Sequence, residues 1–280
     1  MLDTKTIKKI NDFVYVKPRT IQEIAVFLKK NWRTADRYVN QIAEETGSLS
    51  TRTFREGTRG ALKVVYWNNI EKIHSSELQE KLFKKIEGGR EKTDFSPFDI
   101  YQYVDESRRS AFLEEQEDEA KVVKQDLNGL FKSAQKQILI FSGNLSWANL
   151  TGMTDILEEL AKQNILIKIL TRVDLSGLKN TKRVLALNER VGKEAIEIRH
   201  CEQPLRAFII DNKIARFKEI KNPEDYKKEE LKKRTFIFYE IFDEEWIEWL
   251  QKVFWALFRT AISARKRITD LNSIQKINIL

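Results

Sequence analysis

The stretch Thr20-Ile21-Gln22-Glu23-Ile24-Ala25-Val26-Phe27-Leu28-Lys29-Lys30-Asn31-Trp32-Arg33-Thr34-Ala35-Asp36-Arg37-Tyr38-Val39 reads as two helices joined by a tight turn. Thr20 is a good N-cap, and Glu23, three residues on, completes a capping box. The spacing predicts a first helix over Ile21–Lys29 that buries Ile24, Ala25, Phe27 and Leu28. Lys30-Asn31-Trp32 is the turn. The second helix runs from about Arg33 to Glu45, with Ala35, Val39 and Ile42 inward at i, i+4 and i+7, and Gly47 stands where a C-cap is expected.

Upstream, Thr4–Val16 places Ile7, Ile10, Phe13 and Val14 on one helical face, and Pro18 stops that helix. Downstream, the β-rich runs Leu49–Arg55 and Leu62–Trp67 flank the turn Glu56-Gly57-Thr58-Arg59-Gly60. Helix, helix, turn, helix and hairpin is the order of a winged helix-turn-helix. The segment Trp32–Val39 resembles the start of many bacterial and archaeal recognition helices. Arg33, Thr34, Asp36, Arg37 and Asn40 would face a DNA groove, where Arg matches guanine and Asn matches adenine. Arg52, Arg55, Arg59 and Lys63 would stand on the hairpin, placed for phosphates or the minor groove. The same charges could instead be a solvated surface used for protein contacts.

Charge distribution points the same way. The chain has 280 residues, 41% hydrophobic and 33% charged, with net charge +8. Residues 1–70 hold 13 Lys/Arg against 7 Asp/Glu, so a quarter of the chain carries +6 of that excess. A single cysteine, Cys201, excludes an internal disulfide framework and the usual multi-cysteine zinc sites, and it reads as a small buried residue. No metal and no cofactor are expected. The polar start and the lack of about 18 consecutive apolar residues predict no signal peptide, no membrane span and a cytoplasmic protein.

Residues 71–126 read as a helical connector. One helix covers about 70–92, with Ile73, Leu78, Leu82, Phe83 and Ile86 apolar and Gly88-Gly89 at its end. A break at Phe95-Ser96-Pro97-Phe98 precedes a charged helix over 105–126, a candidate dimerisation element. From residue 127 onward, strands at Ile138–Phe141, Ile165–Leu170 and Ile196–His200 alternate with helices at Asp155–Gln163 and Leu178–Val191. Further strands follow at Arg206–Asp211, Ile214–Glu219 and Thr235–Ile241, and a long helix closes the chain over Glu244–Ile268. The reading is therefore an α+β, multidomain chain: a winged helix-turn-helix over 1–70, a connector over 71–126, and an α/β domain with a mixed sheet over 127–280.

The order strand, Ser142-Gly143, helix, Ile167-Lys168-Ile169-Leu170-Thr171-Arg172, helix, Ile196-Glu197-Ile198-Arg199-His200, then Pro204-Leu205-Arg206-Ala207-Phe208-Ile209-Ile210-Asp211, resembles a single phospholipase D-like domain. With the N-terminal module, the chain resembles archaeal regulators that join a winged helix-turn-helix to a degenerate phospholipase D-like domain, a group similar to the TrmB-type regulators. The active motif of that superfamily is His-x-Lys-x-x-x-x-Asp. Anchored on Asp211, it puts Pro204 at the histidine and Arg206 at the lysine, so the resemblance implies a chain without the family's nucleophile and not an enzyme. The other histidine, His74, has no motif around it.

Ser142, Trp147, Arg172, His200, Arg206 and Asp211 lie at or near strand ends and are candidate residues for a small-molecule or anionic effector. Arg206 and Asp211 could equally be an ordinary ion pair, and Trp147 a core residue. The expected function is a DNA-binding transcriptional regulator, a homodimer on double-stranded DNA, whose C-terminal domain senses or assembles without catalysis. The alternatives are a phosphodiesterase or nuclease of the phospholipase D-like superfamily and a protein-assembly module.

Overall fold

The computed structural model describes residues 2–16, 18–55, 61–67, 76–115, 127–225 and 233–277. The chain forms two compact units, Met1–Ile73 and His74–Leu280. Arg59, the rest of the 56–60 turn, His74 and residues 116–126 lie outside the described residues.

The first unit begins with α1 (Thr4–Val16), β1 (Arg19–Thr20), α2 (Ile21–Leu28) and α3 (Trp32–Thr46), followed by β2 (Leu49–Arg55) and β3 (Ala61–Trp67). The capping box at Thr20 is complete: its hydroxyl accepts from the Glu23 N–H at 3.1 Å, and the Glu23 carboxylate accepts from the Thr20 N–H at 2.7 Å. Lys29 ends α2 in the left-handed region, and the Asn31 side chain caps α3 by accepting from the Thr34 N–H at 2.8 Å. These two caps set the tight turn between the helices. Ile10, Val14, Ile24, Ala35, Val39 and Ile42 form the core beneath β2 and β3 with Leu49 and Val65. Phe27 departs from the expected burial. It is 44% exposed and stacked on Phe13 at 4.1 Å between ring centroids, so its ring is covered by α1 on one side only. The strand β1 was not legible: its two residues pair with Val64 and Val65 of β3 and complete a three-stranded sheet.

In the second unit, α4 (Glu77–Gly88) and a short α5 (Phe98–Tyr101) precede β4 (Arg109–Glu115). Here the structure corrects the sequence reading: the charged helix expected over 105–126 is a strand over 109–115. Its sparse apolar residues, Phe112 and Leu113, are adjacent, a spacing that serves the two faces of a strand rather than one stripe of a helix. β4 pairs antiparallel with a distant strand and joins the C-terminal sheet. There follow α6 (Leu127–Lys132), β5 (Gln137–Phe141), α7 (Met153–Lys162), β6 (Leu166–Thr171), α8 (Leu178–Val191), β7 (Ile196–His200), β8 (Ala207–Ile210), β9 (Ile214–Lys221), β10 (Thr235–Ile241), α9 (Glu244–Thr260), β11 (Ile262–Ser263) and α10 (Ala264–Ile277). The closing helix is therefore two helices. Ala261 leaves helical geometry (φ −74°, ψ 147°), and β11 adds to the edge of β7.

The eight strands run β11-β7-β6-β5-β8-β9-β10-β4, with β5, β6 and β7 parallel and the remaining pairings antiparallel. On one face, Ile138, Ile140, Ile167, Ile169, Ile196 and Ile198 pack against Leu157, Leu160, Val184 and Leu187 of α7 and α8. On the other, Phe141 meets Phe254 of α9 edge to face at 5.2 Å. The fold is α+β and multidomain with a mixed sheet. Among the described residues, no helix is long and apolar enough to cross a membrane, and no group of three His, Cys, Asp or Glu residues could hold a metal ion.

Candidate functional site

Two regions gather the residues singled out in the sequence. The first is the exposed side of α3 with β3. Arg33 and Arg37 stand one turn apart and are exposed. Arg33 lies over the ring of Trp32 at 5.6 Å and Arg37 over Tyr38 at 5.5 Å, and neither has an ion-pair partner among the described residues. Asp36 is neutralised: Lys63 of β3 donates to its Oδ1 at 2.6 Å and to the Asn40 Oδ1 at 2.7 Å, while Asn40 Nδ2 donates to the other Asp36 oxygen at 3.3 Å. Lys63 is thus a strut between hairpin and helix rather than a free cation of a wing tip. The result is an α3 whose N-terminal half is cationic, at the positive end of the helix dipole. Lys29 and Lys30, exposed in the turn before α3, were missed because a lysine pair in a turn has no periodic signal. Thr34 is half-buried beside the cap. The backbones of Arg52 and Arg55 lie in β2, and their side chains lie outside the described residues.

The second region is a cavity of about 400 Å³ at the C-terminal ends of β5 and β6. Its walls include Ser142, Gly143, Trp147, Arg172, Arg206, Phe208 and Lys218, with Lys92 from the loop after α4. The strand register explains the convergence. The ladder pairs Ala207 with Phe217, and one step outward the Lys218 N–H donates to the Arg206 carbonyl at 2.8 Å. Arg206 and Lys218 therefore face the same side of the sheet from opposed positions. Gly143 leaves room for the Arg206 guanidinium: a Cβ there would meet Arg206 Nε at 2.8 Å and displace it. Arg206 Nη1 donates only to backbone carbonyls, of Gln203 at 3.1 Å and Leu205 at 2.7 Å. No carboxylate pairs with Arg206 or Lys218 among the described residues. Burial lowers the pKa of both. It brings Lys218 down to about 8, with Arg234 and Lys92 adding to the shift and Glu114 opposing it. Arg172 is engaged by Glu91 at 2.6 Å and Asp174 at 3.2 Å. Trp147 packs against Phe131 and Phe208 and donates to the Ser142 hydroxyl at 3.2 Å.

Two candidates do not join this cavity. Asp211 is at the far end of β8 from Arg206, so the two form neither an ion pair nor a common pocket. Its buried carboxylate instead accepts from the backbone N–H groups of Gln135, Lys136 and Gln137 at 2.9–3.0 Å and fixes the start of β5. His200 does not line the cavity; its Nδ1 accepts from the Val173 N–H at 2.9 Å, and its pKa is lowered chiefly by burial. Cys201 is half-buried rather than buried, with its thiol pushed up to about 11 by burial. Lys92 and Lys218 were missed because their sequence neighbourhoods carry no motif; only the fold brings them together.

No family model matches the chain, and no curated protein matches it. Solved structures do. TrmBL2, described as an archaeal chromatin protein showing a novel mode of DNA binding, is similar over 88% of this chain and 88% of its own, at 15% identity and TM-score 0.40. Nuc from Salmonella typhimurium, a phospholipase D family member, is similar over 55% of this chain and 97% of its own, at 11% identity and TM-score 0.39. Phosphatidylserine synthase of Haemophilus influenzae covers 61% and 46%, at 11% identity and TM-score 0.38. These likenesses correct one expectation. The chain was expected not to be an enzyme, but the structures similar to it include a phospholipase D family member and a synthase, and that expectation does not stand. The physical reason is that Pro204 at the histidine position removes one covalent route only, and says nothing of other chemistry at a cationic cavity.

Proposed function

We propose that this chain is a DNA-binding regulator: residues 1–70 dock on double-stranded DNA as a homodimer, and the downstream unit receives a small anionic effector in the cavity at Arg206. The observation that carries the DNA reading is the pair of exposed arginines on α3, Arg33 and Arg37, with no ion-pair partner among the described residues and with Asp36, between them in the sequence, held by Lys63. A helix whose N-terminal half presents cations to solvent, with the one carboxylate of that half masked, is suited to a polyanion. Arg33, Thr34, Arg37 and Asn40 face the base edges in this reading, and the hairpin residues Arg52, Arg55 and Arg59 face the backbone.

Lys63 gives a test that a simple surface cation would fail. Lys63→Ala exposes the Asp36 carboxylate on the binding face, so duplex affinity falls by about tenfold, more than one phosphate contact alone removes. Adding Asp36→Ala restores most of it. Fluorescence anisotropy on a labelled duplex reads both. If Asp36→Ala leaves the Lys63→Ala loss unchanged, the masking role is wrong.

The effector reading rests on two mostly buried cations that form no ion pair with a carboxylate among the described residues, an arrangement that an anion would complete. Inorganic phosphate and a nucleoside monophosphate are the probes, measured by calorimetry. Arg206→Ala abolishes their binding. The sign of the pH dependence follows from Lys218. Its pKa is lowered, so the free protein loses that proton as pH rises through about 8, and the anion binds the charged form. Above that value affinity falls by up to about tenfold per pH unit, with proton uptake on binding. A pH-independent affinity from 7 to 9.5 contradicts the assignment of Lys218. Turnover of a generic phosphodiester, lost in Arg206→Ala, would instead make the cavity a catalytic centre.

A further inference from the structure

The two edges of the eight-stranded sheet are treated differently. At one end, β7 is covered by the two-residue β11. At the other, β4 offers seven residues in an unbroken register with β10, with no bulge, proline or lysine, and no described strand pairs with its outer side. Such an edge is a template for another strand unless something blocks it. Its centre is Ala111-Phe112-Leu113, all exposed, with Leu113 at 65%. Phe112 stacks on Phe238 at 5.0 Å, so one face of the edge is already ordered. On the other face, Ala111 lies opposite Tyr239, with the exposed Phe98 at 6.3 Å from that ring.

The sequence of β4, Arg109-Ser110-Ala111-Phe112-Leu113-Glu114-Glu115, is complementary to itself when reversed. Antiparallel pairing about a two-fold axis requires each residue to face one on the same side of the sheet, so the axis must pass through a residue. Placed at Phe112, it sets Arg109 opposite Glu115, Ser110 opposite Glu114, Ala111 opposite Leu113, and Phe112 opposite itself. Placed at Ala111 it sets Arg109 against Leu113, and placed at Leu113 it sets Glu115 against Ala111; both shorten the overlap and separate the charges. From this we infer that β4 pairs antiparallel with β4 of a second copy of the chain, centred on Phe112, making one continuous sheet across the dimer. The inference rests on the homodimer reading above and supplies its interface.

The test uses the full chain in sedimentation-velocity experiments across a concentration series. Leu113→Lys replaces an exposed side chain that the protomer's own core does not use, and it puts two lysines into the new interface. Self-association weakens by about tenfold or more. Ala111→Glu combined with Leu113→Lys sets the introduced carboxylate of each copy against the introduced ammonium of the other, in this register, and restores association to within about threefold of the parent. Far-ultraviolet circular dichroism, unchanged in both variants, shows that the protomer is intact. A parent chain that stays monomeric at all concentrations overturns the homodimer reading itself. A dimer that Leu113→Lys leaves untouched, or one that the double variant fails to restore, overturns the β4 interface and leaves the homodimer reading standing.

Discussion

Replacing Arg33 and Arg37 together by alanine weakens duplex binding by about 10²-fold or more, since each arginine in a groove contributes about 1–3 kcal/mol. Both side chains are exposed, and alanine is the stronger helix former, so the fold is not weakened by the change. The loss is then a binding effect, and its form identifies what the arginines touch. If they contact phosphates, the slope of affinity against salt becomes shallower by about one for each, and all sequences lose equally. If they read bases, preference relaxes at two positions of the site while the salt slope stays. Anisotropy with a panel of duplexes at two salt concentrations separates the cases. The structure adds one refinement: Arg37 lies over Tyr38 and Arg33 over Trp32, so the aromatic partners hold each guanidinium partly ordered before DNA arrives.

The largest effect on stability is expected from Asp211→Ala. The carboxylate is 6% exposed and accepts three backbone N–H groups at the entry to β5, the strand that joins the parallel part of the sheet to the antiparallel part. Alanine leaves those donors without a partner and also sits at φ 51°, a left-handed conformation that aspartate tolerates better. The cost is about 4 kcal/mol, which for a unit of this size lowers the melting temperature by about 8–16 °C. Asp211→Asn keeps one acceptor oxygen and the backbone tolerance, and loses about half as much. Differential scanning calorimetry checks both. An Asp211→Ala chain that melts like the parent would mean that the three N–H groups find water instead, and that Asp211 is not the anchor of the strand.

Asp211 also shows what the sequence could and could not give. Its place at the end of an apolar run was legible, and so was the strand before it. Its partners were not, because they lie some 75 residues upstream and are backbone groups that leave no trace in residue type. Local signals served well where a structure is set locally. The capping box at Thr20 and the i, i+4, i+7 spacing of Ala35, Val39 and Ile42 mark elements whose hydrogen bonds lie within a few turns of chain, and the apolar runs at Ile138 and Ile196 carry the strand signal in their own residues although their ladders are distant. They failed where distant pairing decides. Arg109–Glu115 reads as charged and helical until β10, more than a hundred residues on, supplies its ladder. The closing helix breaks at Ala261 because β7 captures the next two residues.

The candidate sites divide along the same line. Arg33 and Arg37 were readable because a helix face is a local pattern. The cavity was half readable: Ser142, Trp147 and Arg172 follow strand ends and Arg206 precedes β8, whereas Lys92 and Lys218 reach it from an upstream loop and from an antiparallel neighbour. Lys218 is the most informative of the missed residues, since its place opposite Arg206 adds a second cation without an ion-pair partner among the described residues to the cavity.

The central claim, that the first unit binds duplex DNA through α3, is tested most directly by titrating a labelled 30-base-pair duplex with the full chain between 50 and 200 mM salt. With 6–10 phosphates engaged, the affinity of the parent chain falls by about 10³–10⁵-fold across that range, and the variant lacking Arg33 and Arg37 binds more weakly at every point. Binding that does not respond to salt, or that the two substitutions leave unchanged, would contradict the claim.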